Sequence, residues 1–186
     1  MTGTPGAGKS TFAKRLASVL PNSNLVELND IVDEYKLYSK IDEMGSKVVK
    51  LGQLEEKAKE VIKEQGSVSN MIIVGHLVPE IKIKYDMIIV LRIGLKKLVE
   101  RLEERGYQKE KTRENIVSES IDYCGIKSME HCEETYEIET ESEQKEVMDY
   151  IMDRAAGRQG KPPEIREISK FKELMDLIAE GNKYSL

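Results

Sequence analysis

Two uninterrupted apolar runs, residues 71–74 (Met-Ile-Ile-Val) and 87–91 (Met-Ile-Ile-Val-Leu), break a chain whose apolar positions otherwise recur at helical spacing. A run without polar alternation belongs to a strand covered on both faces, which implies a parallel sheet with helical crossovers. Helical stripes surround these runs. Phe12, Leu16, Val19 and Leu20 share one face of a helix that Pro21 stops, and Leu51, Leu54, Ala58, Val61 and Ile62 mark a second. Leu95, Leu98 and Leu102 mark a third, ended by Gly106. Residues 110–132 read as helical again, and 143–155 form a helix packed through Val147, Tyr150 and Ile151. Residues 25–28 read as a short strand, after which Asn29 and Asp30 offer an N-cap for a helix from Ile31 to about Tyr35. A loop to about Val48, a turn at 67–70 and a weak last strand at 136–138 complete the pattern. It predicts an α/β three-layer sandwich over 1–156. Residues 157–163 (Gly-Arg-Gln-Gly-Lys-Pro-Pro) have linker composition and precede a tail at 164–186, whose helix carries Phe171, Leu174, Leu177 and Ile178 on one face. The tail helix is expected to fold back onto its own core.

Composition narrows the class without deciding it. At 186 residues, 34% of them charged, the chain is sized for one charge-rich domain. A net charge of -5 gives no bulk pull toward nucleic acid or anionic lipid, so no strong nucleic-acid binding is expected. The apolar runs fall far short of the ~18 residues that a membrane span needs. No signal-peptide pattern is visible at the N-terminus, and two cysteines, Cys124 and Cys132, are too few for a disulfide framework. A cytoplasmic, reduced setting is the expectation.

One motif carries the chemistry. Gly3-Thr4-Pro5-Gly6-Ala7-Gly8-Lys9-Ser10 fits G-x-x-x-x-G-K-[ST], with Thr11 and a helical stripe directly after it. In such a loop the backbone N–H groups around Gly6, Ala7 and Gly8 converge on phosphate oxygens and the following helix adds its dipole. Lys9 then reaches the β and γ phosphates, and Ser10 ligates magnesium. ATP and Mg2+ are therefore the expected cofactors. The loop should follow a buried strand of about five residues, yet only Met1 and Thr2 precede Gly3. The first strand is largely missing, and a segment upstream of Met1 is the expectation.

Several blocks recur in a recognisable order: the loop, Leu28-Asn29-Asp30, Val74-Gly75-His76, Val90-Leu91-Arg92, Glu100-Arg101-Leu102-Glu103-Glu104-Arg105-Gly106-Tyr107 and Glu114-Asn115-Ile116. Together they resemble the small adenylate-kinase-like NTPases of archaea and eukaryotes, nucleoside monophosphate kinases linked to small-ribosomal-subunit maturation. The resemblance runs from Gly3 to Ile151. It implies a five-stranded parallel sheet, a monophosphate-binding segment at about 29–50 and a short lid at about 106–114. It also implies AMP or another nucleoside monophosphate as acceptor, and transient binding to a small-subunit ribosomal protein of the S-eleven type.

Phosphoryl transfer needs charge neutralisation and positioning, so arginines near the loop are candidates. Arg92 leaves the C-terminal end of a strand and is expected to face the phosphates between donor and acceptor. Arg101 and Arg105 share a helix face, with Arg105 at the mouth of the lid; Lys109, Lys111 and Arg113 read as solvated lid charges. Asp30 either orients magnesium's water, holds the acceptor or only caps a helix, and His76 stands where the family places a histidine near the phosphates. Many phosphate-loop enzymes carry a carboxylate at the end of the third strand, but here the residues are Ile73-Val74-Gly75 and the nearest acid is Glu80. Magnesium is thus expected on Ser10, the phosphates and Asp30. Cys124, His131 and Cys132 do not match a zinc spacing. Residues 130–146 hold eight glutamates against Lys145, either a solvated face or an acidic docking surface. Two functions stand side by side: transfer of the γ-phosphoryl of ATP to a monophosphate, and an ATP-driven assembly factor that grips a ribosomal protein. A different small-molecule kinase on the same fold is a third.

Overall fold

The structure, a computed structural model, describes residues 1–66, 69–164 and 168–179. Residues 67 and 68 of the turn expected at 67–70, and residues 165–167 and 180–186 of the tail, lie outside them. In chain order the elements are α1 (Lys9–Val19), β1 (Ser23–Glu27), α2 (Leu28–Glu34), β2 (Tyr38–Ile41), β3 (Lys47–Val49) and α3 (Leu51–Glu64). There follow β4 (Asn70–Val74), a 3-10 turn at Val78–Glu80, β5 (Ile88–Leu91), α4 (Leu95–Glu104), α5 (Lys109–Ser120) and α6 (Tyr123–Met129). The chain then forms β6 (Thr135–Ile138), α7 (Glu141–Ala155) and α8 (Phe171–Ala179). Among the described residues no helix is long and apolar enough to cross a membrane.

The sheet is parallel, as its apolar runs require. β1 pairs with β4, placing Glu27 opposite Val74, and β5 pairs with β6. Met1 and Thr2 lie between the two pairs. Met1 N donates to Ile73 O at 2.6 Å and Gly75 N to Met1 O at 3.2 Å. On the other side Thr2 N donates to Ile89 O at 2.8 Å and Leu91 N to Thr2 O at 2.9 Å. The five-strand expectation is thus met by four strands and this dipeptide in the central position.

Alternation along β4 divides the core. Ile72 and Val74 join Phe12, Leu16, Leu91, Leu98, Leu102 and Val147 in one cluster, while Ile73 faces Val26, Ile31, Leu54 and Ala58 in another. Leu95, Leu98 and Leu102 are fully buried, each contributing roughly 1.5–3 kcal/mol, so α4 is firmly seated under the loop.

Two stretches depart from the expected pattern. Residues expected as a loop up to Val48 form an antiparallel hairpin, with Tyr38 opposite Val49. Its turn is set by Asp42, whose carboxylate accepts from Met44 N and Ser46 N, and by Gly45 at φ 72. The helix expected over 110–132 is two helices, α5 and α6, broken at Ile121 and Asp122. Asp122 adopts φ 53, and its side chain caps α6 by accepting from Gly125 N at 3.1 Å. The capping box between Thr140 and Glu143 starts α7 at Glu141, two residues before the expected start at 143.

The tail helix lies against α4. Leu177 is buried, and Glu173 Oε2 accepts from Leu95 N at 2.6 Å, placing a carboxylate at the positive end of that helix. Lys170, 1% exposed, bridges Glu139 and Glu173.

Candidate functional site

The loop fits its backbone to the sheet before any ligand arrives. A Cβ on Gly3 would stand 2.3 Å from Leu91 O, so only glycine lets the chain leave the sheet here. Gly8, at φ 100, opens α1 with no side chain accepting from the first turn. The first N–H groups of the helix are therefore left for an anion. Lys9 folds back over the loop, its Nζ donating to Gly3 O at 2.8 Å and Thr4 O at 3.1 Å. Burial pulls its ammonium down to about 8, and Arg105 pushes the same way, while Cys124, Glu119 and Glu27 oppose them. Thr11, next along the helix, is exposed.

Helix α4 brings two arginines to this loop. Arg101 donates to Gly6 O at 2.8 Å and so braces the loop's outer wall. Arg105 is the exposed C-cap, and its charge is felt at Lys9. The helix then ends sharply. Gly106 N donates to Glu103 O and Tyr107 N to Leu102 O, a Schellman ending that needs the positive φ of 72 at Gly106.

Beside the loop lies a cavity of about 770 Å³, within the range of small-ligand sites. Thr4, Pro5, Asn29, His76, Tyr107 and Lys111 line it, together with residues of the β2–β3 hairpin. Lys111 stands 4.5 Å from the centre of the Tyr107 ring and 3.5 Å from Met44 O. It is thus a wall of the cavity rather than a solvated lid charge. Burial, reinforced by Lys9, lowers His76 to about 4, so it presents a neutral imidazole at neutral pH.

Two expected site residues are placed elsewhere. Arg92 does not face the phosphates: it is 3% exposed and its guanidinium is spent on a carboxylate cluster. Nε donates to Glu119 Oε1 at 2.8 Å, Nη1 meets Asp122 at 2.7 Å and Glu137, and Nη2 donates to Glu119 O at 2.8 Å. Asp30 is exposed in the first turn of α2, whose N-cap is Glu27, so it does not cap the helix, and the carboxylate that Ser10 meets is Glu27. Of the acidic run only Glu137 is buried, on Arg92; Glu139 pairs with Lys170, Glu134 with Arg154 and Glu130 with Lys127, while Glu130, Glu133, Glu141 and Glu146 stay exposed.

Residues with no motif of their own complete the site. Thr4 Oγ1 donates to the buried Glu119 Oε2 at 2.6 Å, tying the loop to α5. Ser10 Oγ donates to Glu27 Oε2 at 2.9 Å. A hydroxyl and a carboxylate in contact at the start of α1 are the hard oxygen donors that magnesium takes, so the residues present fit the ion. Cys124 and Cys132 are buried, and Cys124 also lines the cavity.

Comparison with known proteins agrees with this geometry. Residues 1–122 match the AAA domain family. A protein of Methanosarcina barkeri named "Putative adenylate kinase" is 32% identical over 177 residues, covering 89% of this chain and 92% of its own length. One of the same name from Methanocaldococcus jannaschii is 36% identical, covering 82% of each chain, and another from Methanosarcina mazei is 34% identical. With the loop, the parallel sheet and the paired arginines in place, the chain belongs to the adenylate-kinase-like family of P-loop proteins.

Proposed function

We propose that this protein transfers the γ-phosphoryl of ATP to AMP or another nucleoside monophosphate. The observation that carries the reading is the cavity that opens from the phosphate loop and is walled by Lys111, Tyr107 and His76. A donor phosphate on the loop and an acceptor phosphate in the cavity would meet near Lys9 and Arg105. An oxygen of the acceptor phosphate forms the new bond to the γ phosphorus as the bond to the β–γ bridging oxygen breaks, leaving ADP and a nucleoside diphosphate. Lys9 exchanges its contacts with Gly3 O and Thr4 O for the β and γ oxygens. Arg105 offsets charge on the transferred group, and Arg101 keeps the loop wall in position. Magnesium, when bound, neutralises the β and γ oxygens; Ser10 and Glu27 are the residues placed to hold it.

The test is ADP formation from ATP and magnesium with and without AMP, with Lys9→Ala as control. A rate that needs both AMP and Lys9 is expected. Slow ATP consumption indifferent to AMP overturns the transfer reading and favours the assembly ATPase. A role in small-ribosomal-subunit maturation is the finer expectation of the resemblance. Binding of the S-eleven-type protein to the full chain, measured with and without ATP, tests it directly.

A further inference from the structure

The third-strand carboxylate common among phosphate-loop enzymes has no counterpart at Ile73, Val74 or Gly75. The register of the sheet shows where its replacement stands. Glu27 is the cross-strand partner of Val74, one strand over. Cross-strand partners project to the same face, and Val74 packs in the cluster that contains Phe12 and Leu16 of α1. The Glu27 side chain therefore turns toward the same helix, and its Oε2 accepts from Ser10 Oγ at 2.9 Å. Its charge also reaches Lys9.

We propose that Glu27 is the carboxylate that holds the water shell of magnesium in this protein, in place of the acid that β4 lacks. The site thus builds the metal's protein side from β1 and α1. The proposal rests on reading the site as one for magnesium and ATP, but not on the identity of the acceptor.

Glu27→Gln is the decisive variant, because the amide oxygen still accepts from Ser10 and only the charge is lost. ATP affinity is measured by calorimetry on the full chain, in EDTA and in magnesium, and manganese affinity of the ATP-loaded protein by electron paramagnetic resonance. In wild type, magnesium strengthens ATP binding. In Glu27→Gln, metal-free ATP binding is unchanged or tighter, since a negative charge near the phosphates is gone, while metal affinity falls about 10- to 100-fold. Glu27→Asp, which keeps the charge on a shorter arm, falls between the two. An equal magnesium gain in wild type and Glu27→Gln overturns the assignment, and so does a wild-type chain whose ATP binding ignores magnesium. Metal-dependent ATP binding without AMP-dependent ADP formation would instead sink the transfer reaction and leave the role of Glu27 standing.

Discussion

The hydroxyl of Thr4 donates to the Glu119 carboxylate at 2.6 Å, joining the second residue of the phosphate loop to the last turns of α5. Both groups are buried, so the bond has no water to replace it. Thr4→Val leaves Glu119 Oε2 without this donor and is expected to cost about 1–3 kcal/mol of stability. Thr4→Ser keeps the donor and should lie near wild type. Chemical denaturation of the two variants checks this, and equal losses would contradict it.

Arg92 holds Glu119, Asp122 and Glu137 together in the interior. Arg92→Met leaves three buried or half-buried carboxylates around an apolar side chain, and a loss of about 3–5 kcal/mol is expected. If Arg92→Met melts like wild type and instead loses only turnover, the arginine faces the phosphates after all.

Lys9 titrates at about 8 in the nucleotide-free site. Phosphates favour its charged form and raise that value, so ATP affinity is level below about pH 8 and falls by up to about tenfold per unit above it. Binding at around pH 8.5 then takes up a proton, which calorimetry in buffers of different ionisation enthalpy reads directly. The nucleotide-free protein behaves oppositely: the unfolded chain binds the extra proton between about 8 and 10.5, so folding stability gains from this residue as pH rises through that window.

His76, lowered to about 4 from 6.5, is neutral wherever the enzyme would work. Between those values the unfolded state holds the additional proton, so stability contributed through His76 is lost as pH falls from about 6.5 to 4. His76→Gln should flatten that part of the melting profile. No inflection of activity near pH 6.5 should come from this side chain; its persistence in wild type and disappearance in His76→Gln would show a charged imidazole in the cavity.

Helices α1 and α4 were legible because their apolar positions recur at helical spacing and their ends carry Gly8 and Gly106, although Val19, read on the apolar face of α1, is exposed. The hairpin was not: Ser39, Lys40 and Ile41 are exposed, so no face of β2 needs an apolar pattern, and its turn depends on one aspartate. The lysine and glycines of the loop are local and could be read from spacing alone. Arg92 could be placed at a strand end, but its partners stand 27 and 45 residues away in the chain and meet it only through the fold. Glu27 was hidden for a similar reason. Its value comes from standing opposite Val74, and strand register is not written in either segment by itself.

The docking of α8 reaches further than its small buried face suggests. Glu173 sits on the first N–H of α4, and the same helix ends in Arg105 and carries Arg101 on the loop. The tail thereby seats one end of a rigid lever whose other end carries the arginines. Removing the tail would free the first N–H of α4 and uncover Leu177, so its expected effect falls on the seating of the helix that carries Arg101 and Arg105.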